Sequence, residues 1–253
     1  MILADLRRLG EARAPDDFAA NVLRAVGLVD RYALLESPLG PVYVAWSGHG
    51  ISAVMRAASD AVFEAAFAAR FARPLLRAAE PPRQALARAL AGRGEPRRLA
   101  YDLRCCTPFE RDVLVKALEI PRGQVRPYAW IAREIGKPKA VRAVGGALAR
   151  NPVPLLIPCH RVVRSDGTLG EYALGAGRKA DMLAAEGLDV GQVEREAQRG
   201  VRLRGSRTTK IFCFPTCADA RRIAPQHAVA FGSEREARAA GYRPCRRCRP
   251  AAA

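Results

Sequence analysis

Seven cysteines fall into three groups along this 253-residue chain, and the groups suit different chemistry. Cys159 stands alone, followed directly by His160, at the end of an apolar run that contains Pro152, Pro154 and Pro158. A cysteine acts as a nucleophile through its thiolate, which a nearby base or positive charge favours. Prolines fix backbone angles and limit the freedom of the unfolded chain, as a held active-site turn requires. A Cys-His dipeptide alone is weak support, because adjacent side chains need not touch. Cys213 and Cys217, with Cys245 and Cys248, supply four soft ligands at spacings suited to tetrahedral zinc. A metal there would also staple a module of roughly 50 residues that is short of core. Cys105 and Cys106 are adjacent and precede a helix start, where buried packing is the expected role.

The formal net charge is +17, from 42 Lys and Arg against 25 Asp and Glu. A surplus of that size favours a polyanionic partner, since each neutralised phosphate releases condensed counterions. Arginine enrichment through coding bias is the alternative. Between Arg199 and Ala253 the chain turns sharply basic, with 13 Lys or Arg against three acidic residues. Apolar residues make up 49% of the chain, so most of it should be globular. The longest uncharged run, Ser37 to Met55, is broken by prolines and glycines and cannot form a membrane span. With no signal-peptide pattern, a cytoplasmic protein without a disulfide framework or membrane partner is expected.

The elements that must position these residues follow from periodicity. Phe18, Val22, Leu23 and Val26 have helical spacing, giving a small helical extension over 1–30. Tyr32–Ser37, Val42–Trp46 and Ile51–Met55 read as strands, with His49 in a turn. Phe63, Phe67 and Phe71 line one helix face, Gln84–Ala91 is a second helix, and Leu99, Tyr101 and Leu103 alternate as a strand. Thr107-Pro108-Phe109-Glu110 is a capping box with proline in the first helical turn. Tyr128–Ile135 and a helix from about Pro138 to Ala149 have helix-turn-helix spacing. The second of these is rich in Ala and Gly, with Arg142 near its start, and suits close approach to a helix or a nucleic-acid groove. Gly200–Ser206 reads as part of a linker, and Ser233-x-x-Glu236 as a further capping box.

The segment Gly123–Gly187 closely resembles O6-alkylguanine-DNA alkyltransferases. The resemblance rests on Pro158-Cys159-His160-Arg161, Arg142-Ala143-Val144-Gly145-Gly146, Asn151-Pro152, Tyr172, Lys179 and Glu186. It implies an α/β chain with a ribonuclease-H-like domain over 31–104 and a mainly helical alkyltransferase domain with helix-turn-helix over 105–190. It implies that Cys159 accepts the alkyl group from O6-alkylguanine, or O4-alkylthymine, in double-stranded DNA, with irreversible self-inactivation. His160 would be a water-mediated base polarised by Glu186, Asn151 would hold the turn, and Tyr128 would aid extrusion and protonate the leaving guanine. Arg142 would fill the gap left by the flipped nucleotide, and Val162, Tyr172, Ala173 and Lys179 would join the substrate and DNA contacts.

Residues 208–217 and 239–248 resemble the metal-binding domain of the Ada repair protein, which implies a zinc module over 207–253 beyond a linker at 191–206. There the first zinc cysteine, here Cys213, accepts a methyl group from a DNA methylphosphotriester, so Cys213 is either reactive or purely structural. In Ada this module precedes the alkyltransferase; here it follows, with no AraC-like helix-turn-helix between them. A monomer with zinc and no organic cofactor is expected. The rival functions are non-catalytic lesion binding, opposed by Cys159 itself, and alkylation-responsive transcription control, opposed by the missing regulator domain.

Overall fold

The computed structural model describes residues 29–79, 84–170 and 177–250, with Phe18, Val22, Leu23, Val26, Tyr172 and Gly175. The helical extension expected over 1–30 lies almost wholly outside the described residues. Strands β1 (Asp30–Leu35), β2 (Val42–Ser47), β3 (Gly50–Met55) and β4 (Leu75–Arg77) form a mixed sheet in the order β3-β2-β1-β4. β2 pairs antiparallel with β1 and β3, and β4 is parallel to β1. The period-two alternation of β2 sorts its side chains between two cores. Tyr43 and Ala45 join Tyr32, Phe63 and Phe67 on one face, while Val42 and Val44 enter the main core on the other. Helix α1 (Asp60–Phe71) covers the first face, with Phe63 stacked 4.8 Å from Tyr43. Full burial of each phenylalanine contributes about 1.5–3 kcal/mol.

Helix α2 (Gln84–Leu90) packs into the main core through Leu86 and Leu90. The strand expected through Leu99, Tyr101 and Leu103 reduces to a single bridge between Ile51 and Tyr101. The chain there leaves β3 after Asp102, whose carboxylate is held by Arg73 and Arg104 instead. Helix α3 (Pro108–Leu118) begins with the expected capping box: Thr107 accepts from the Glu110 amide and Glu110 accepts from the Thr107 amide. Cys106 is half-buried and packs against the main core as expected, whereas Cys105 is exposed.

β5 (Arg126–Pro127) leads into α4 (Tyr128–Glu134), then a turn and α5 (Val141–Ala149). The second helix starts three residues later than expected, since Ala140 offers no capping side chain. The turn at Cys159–Arg161 feeds β6 (Val162–Val163), which pairs parallel with β5. Helices α6 (Arg178–Ala185) and α7 (Val190–Gln198) follow.

The stretch expected as a linker is regular structure. Asp189 caps α7 by accepting from the Gln192 amide, and β7 (Leu203–Ser206) is an inner strand of a second, four-stranded sheet. Gly205 there lies under Phe231 and Tyr242, where a Cβ would come within 2.7 Å of either ring. The remaining elements are β8 (Ile211–Cys213), α8 (Ala218–Arg221), β9 (Ala228–Phe231), α9 (Glu234–Ala239) and β10 (Arg243–Pro244). Ser233 caps α9 as expected, but Glu236 turns to the Gly232 amide, so the box is only half formed. One apolar cluster runs from Val44 through Leu114, Ile131 and Leu156 to Phe212 and Cys248.

Candidate active site and metal centre

The proline-stiffened run forms a tight turn that delivers Cys159 to the base of a pocket. Leu155 within it adopts φ 72°, a left-handed conformation that L side chains enter only when surroundings enforce it. Two fastenings do so. The Val54 amide donates to the Pro152 carbonyl at 2.9 Å, tying the turn to the N-terminal sheet. Asn151 donates from Nδ2 to the Ile157 carbonyl (2.9 Å) and the Cys159 sulfur (3.3 Å), while its Oδ1 accepts from the Val153 amide. Cys159 is only 6% exposed. The pocket it enters, about 390 Å³, is also lined by Tyr128, Gly145, Leu148 and Tyr172.

Behind the thiol, His160 is fully buried and its Nε2 lies 2.8 Å from Glu186 Oε1. Arg161 clamps the same carboxylate, with Nε 3.0 Å from both oxygens and a second nitrogen 2.7 Å from Oε1. The Gly123 amide donates to Oε2 at 3.0 Å. Burial pushes the Glu186 carboxyl up, but the His160 and Arg161 hydrogen bonds outweigh it and hold the group at about 2. Burial holds the His160 imidazole below its ordinary value against the pull of Glu186. The ring is therefore neutral at neutral pH. With Nε2–H donated to an ionised carboxylate, Nδ1 is the basic nitrogen, and it has no hydrogen-bond partner among the described residues. Burial also raises the Cys159 thiol, with Asn151 and the Lys179 charge opposing. A buried thiol beside a neutral imidazole is a nucleophile waiting for a base.

Lys179, expected among the DNA and substrate contacts, is buried. Its ammonium donates to the Val162 carbonyl and faces the Tyr128 ring at 5.8 Å, and burial brings it down to about 8. The structure thus gathers Cys159, Asn151, His160, Glu186, Tyr128, Tyr172, Val162 and Lys179 in one place. Arg142 stays apart, exposed on the first turn of α5. Ala173 lies outside the described residues. The clamp by Arg161 had no role assigned from sequence. Its position inside Pro158–Arg161, in a segment otherwise apolar, was the available signal.

In the C-terminal module Cys213, Cys217, Cys245 and Cys248 are all buried, and their sulfurs lie within 4.8 Å of one another. A tetrahedral centre with Zn–S near 2.3 Å needs sulfurs about 3.8 Å apart, so the set fits a metal ion. Cys213 and Cys245 also border a wide groove with Thr208, Thr209, Arg222, Arg243, Arg246 and Arg247. Arg221 donates to the Gly123 carbonyl of the alkyltransferase part.

Two stretches of the chain match known families. Residues 108–188 match the family described as 6-O-methylguanine DNA methyltransferase, DNA binding domain. Residues 193–251 match the metal binding domain of Ada. A methylated-DNA–protein-cysteine methyltransferase of Methanosarcina acetivorans is 35% identical over 159 residues, covering 62% of this chain and 97% of that protein. The chain belongs to the methylated-DNA–protein-cysteine methyltransferase family. The bifunctional transcriptional activator/DNA repair enzyme Ada of Escherichia coli is 41% identical over 164 residues, 63% of this chain and 46% of that one. A rat methyltransferase of this family is 50% identical over 101 residues, 39% and 46% of the two chains. The chain thus spans about half the length of these two relatives. Mycobacterium tuberculosis OGT, solved in complex with DNA, superposes with a TM-score of 0.50 at 29% identity, covering 65% of this chain and 98% of that one. The mixed sheets and helices of the methyltransferase fold are therefore present here. Among the described residues, no helix is long and apolar enough to cross a membrane.

Proposed function

We propose that this chain repairs double-stranded DNA by moving the alkyl group of O6-alkylguanine, and of O4-alkylthymine, onto Cys159, once per molecule. The observation that carries the reading is the Cys159 thiol at the base of a pocket, backed by a neutral His160 whose other nitrogen is fixed by Glu186. The thiol proton passes through water to His160 Nδ1, and Glu186 with Arg161 stabilises the developing imidazolium. The sulfur then forms a bond to the alkyl carbon while the bond from that carbon to O6 breaks. The electron pair leaves on the guanine, which takes a proton from Tyr128. The product is a thioether with no facile hydrolytic exit, so the protein is consumed as a single-turnover methylated-DNA–[protein]-cysteine S-methyltransferase. Stacked DNA hides the alkyl carbon from a buried sulfur, so the nucleotide must flip out. Exposed Arg142 on the small-residue helix α5 is suited to fill the vacancy from the minor groove.

The same proposal reads the N-terminal mixed sheet as ribonuclease-H-like and the four-cysteine centre as a zinc site in the C-terminal module. When bound, zinc keeps its ligand thiolates deprotonated and orders the module. A cytoplasmic, monomeric protein belongs to this reading. The arginine-rich groove at Cys213 favours a second transfer, in which the Cys213 sulfur takes a methyl group from a phosphotriester and a phosphodiester leaves.

Labelled O6-methylguanine duplex and the Cys159→Ser variant test the main proposal. The variant should bind the duplex as wild type does yet take up no label from the base, because a serine hydroxyl is far less ionised. Undiminished transfer by the variant overturns it. The same variant should still acquire a methyl at Cys213 from a methylphosphotriester duplex; zinc-loaded protein that is never methylated there leaves that cysteine structural.

A further inference from the structure

Arg126 is a charged residue placed where charge is costly. It stands in β5, in the alkyltransferase part of the chain, and is 2% exposed. Its guanidinium lies 6.0 Å from the Trp130 ring centre and 5.1 Å from that of Phe214. Its hydrogen bonds go to the Val125 carbonyl and Gln124 Oε1, both uncharged. Among the described residues no carboxylate pairs with it. A buried cation without a counter-charge is strongly unfavourable, and an arginine cannot escape by losing its proton.

The next module meets this strand through Phe214 and Thr216, the residues beside two of its clustered cysteines. Phe214 follows Cys213 directly, and Thr216 precedes Cys217. The Thr216 hydroxyl accepts from the Val125 amide at 3.0 Å and donates to the Val125 carbonyl at 3.3 Å, fixing the strap beside Arg126. Burial draws the guanidinium below its ordinary value, and the Coulomb pull of Cys248, Cys217, Cys245 and Cys213 opposes this. Four thiolates around a dication leave a doubly negative centre, which has its own need for a buried cation.

We propose that Arg126 is the buried counter-ion of the four-cysteine metal centre, so that the centre is built from two modules: thiolates from the C-terminal module and neutralising charge from the alkyltransferase strand. This rests on the reading of the four cysteines as a metal site. It makes the metal a clamp between modules as well as a staple within one. The strap 123–126 is held by Thr216 and Arg221 from the C-terminal module, and its Gly123 amide in turn donates to Glu186. Arg126 is thus a positioning residue for the metal centre.

The test is zinc affinity of the full-length chain, measured by competition with a chromophoric chelator, for wild type, Arg126→Met and Arg126→Lys. Methionine keeps the apolar packing and removes the charge, and lysine keeps the charge. The expected result is one zinc in wild type, a roughly tenfold to hundredfold weaker affinity in Arg126→Met, and recovery of most of that loss in Arg126→Lys. Wild-type affinity in Arg126→Met, or an equal loss in both variants, overturns the counter-ion role while leaving the metal site in place. A wild type that binds no zinc removes both. Should Arg126→Met fail to fold, hydrogen exchange on wild type decides: chelating the metal should speed exchange of the amides around Arg126 and Trp130. Unchanged exchange there overturns the proposal.

Discussion

Glu186 gathers one buried imidazole, one buried guanidinium and one backbone amide, and each contact favours its ionised form. Its folded value of about 2 lies below the ordinary 4.5, so the stability it contributes is complete above about 4.5 and is lost as pH falls through about 2. That contribution is on the order of 3 kcal/mol. Glu186→Gln should remove a similar amount at neutral pH, flatten the acid limb, and slow alkyl transfer by roughly a hundredfold or more. Urea unfolding across the acid range, with single-turnover rates, checks both; an unchanged acid limb would refute the ionised clamp. The Cys159 thiol is raised by burial, so transfer should speed up as pH rises through the neutral range. A rate that falls over that range contradicts the general-base role of His160.

At the scale of elements, α3 and α5 separate stability from function. Thr107→Ala removes the acceptor for the Glu110 amide and should cost about 1 kcal/mol without altering reactivity at Cys159, as thermal unfolding and transfer rates would show. Arg142→Ala should leave stability alone and slow transfer from duplex DNA much more than from a free alkylated base, which needs no flipping. Equal losses on both substrates would end the gap-filling role. The α3 cap was legible in the sequence because all its partners lie within four residues. The Cys159 turn was legible because its prolines, cysteine and histidine are contiguous. The Arg161 clamp was not, and Lys179 was named without its burial: their partners lie 25 and 17 positions away, and periodicity does not reveal a buried charge. The expected linker failed similarly, because Gly205 reads as flexibility until the rings of Phe231 and Tyr242 are seen above it.

At the scale of the whole molecule, sequence separated two modules that the structure joins through one core. Val125 and Thr216, 91 positions apart, share hydrogen bonds in both directions, and Arg249 near the C-terminus pairs with Glu119 and Glu134 of the alkyltransferase part. No local pattern carries such contacts. The +17 charge acts at this scale too: non-specific DNA affinity should fall steeply and linearly with salt on logarithmic axes, and a flat response would refute phosphate-driven binding. The most direct test of the central claim is the mass of the intact protein, with peptide mapping, after incubation with excess duplex containing O6-methylguanine. The account requires one methyl group per chain, located on Cys159, with no further demethylation of DNA once every chain is modified. A methyl on another residue, or continued turnover by protein already methylated, would contradict it.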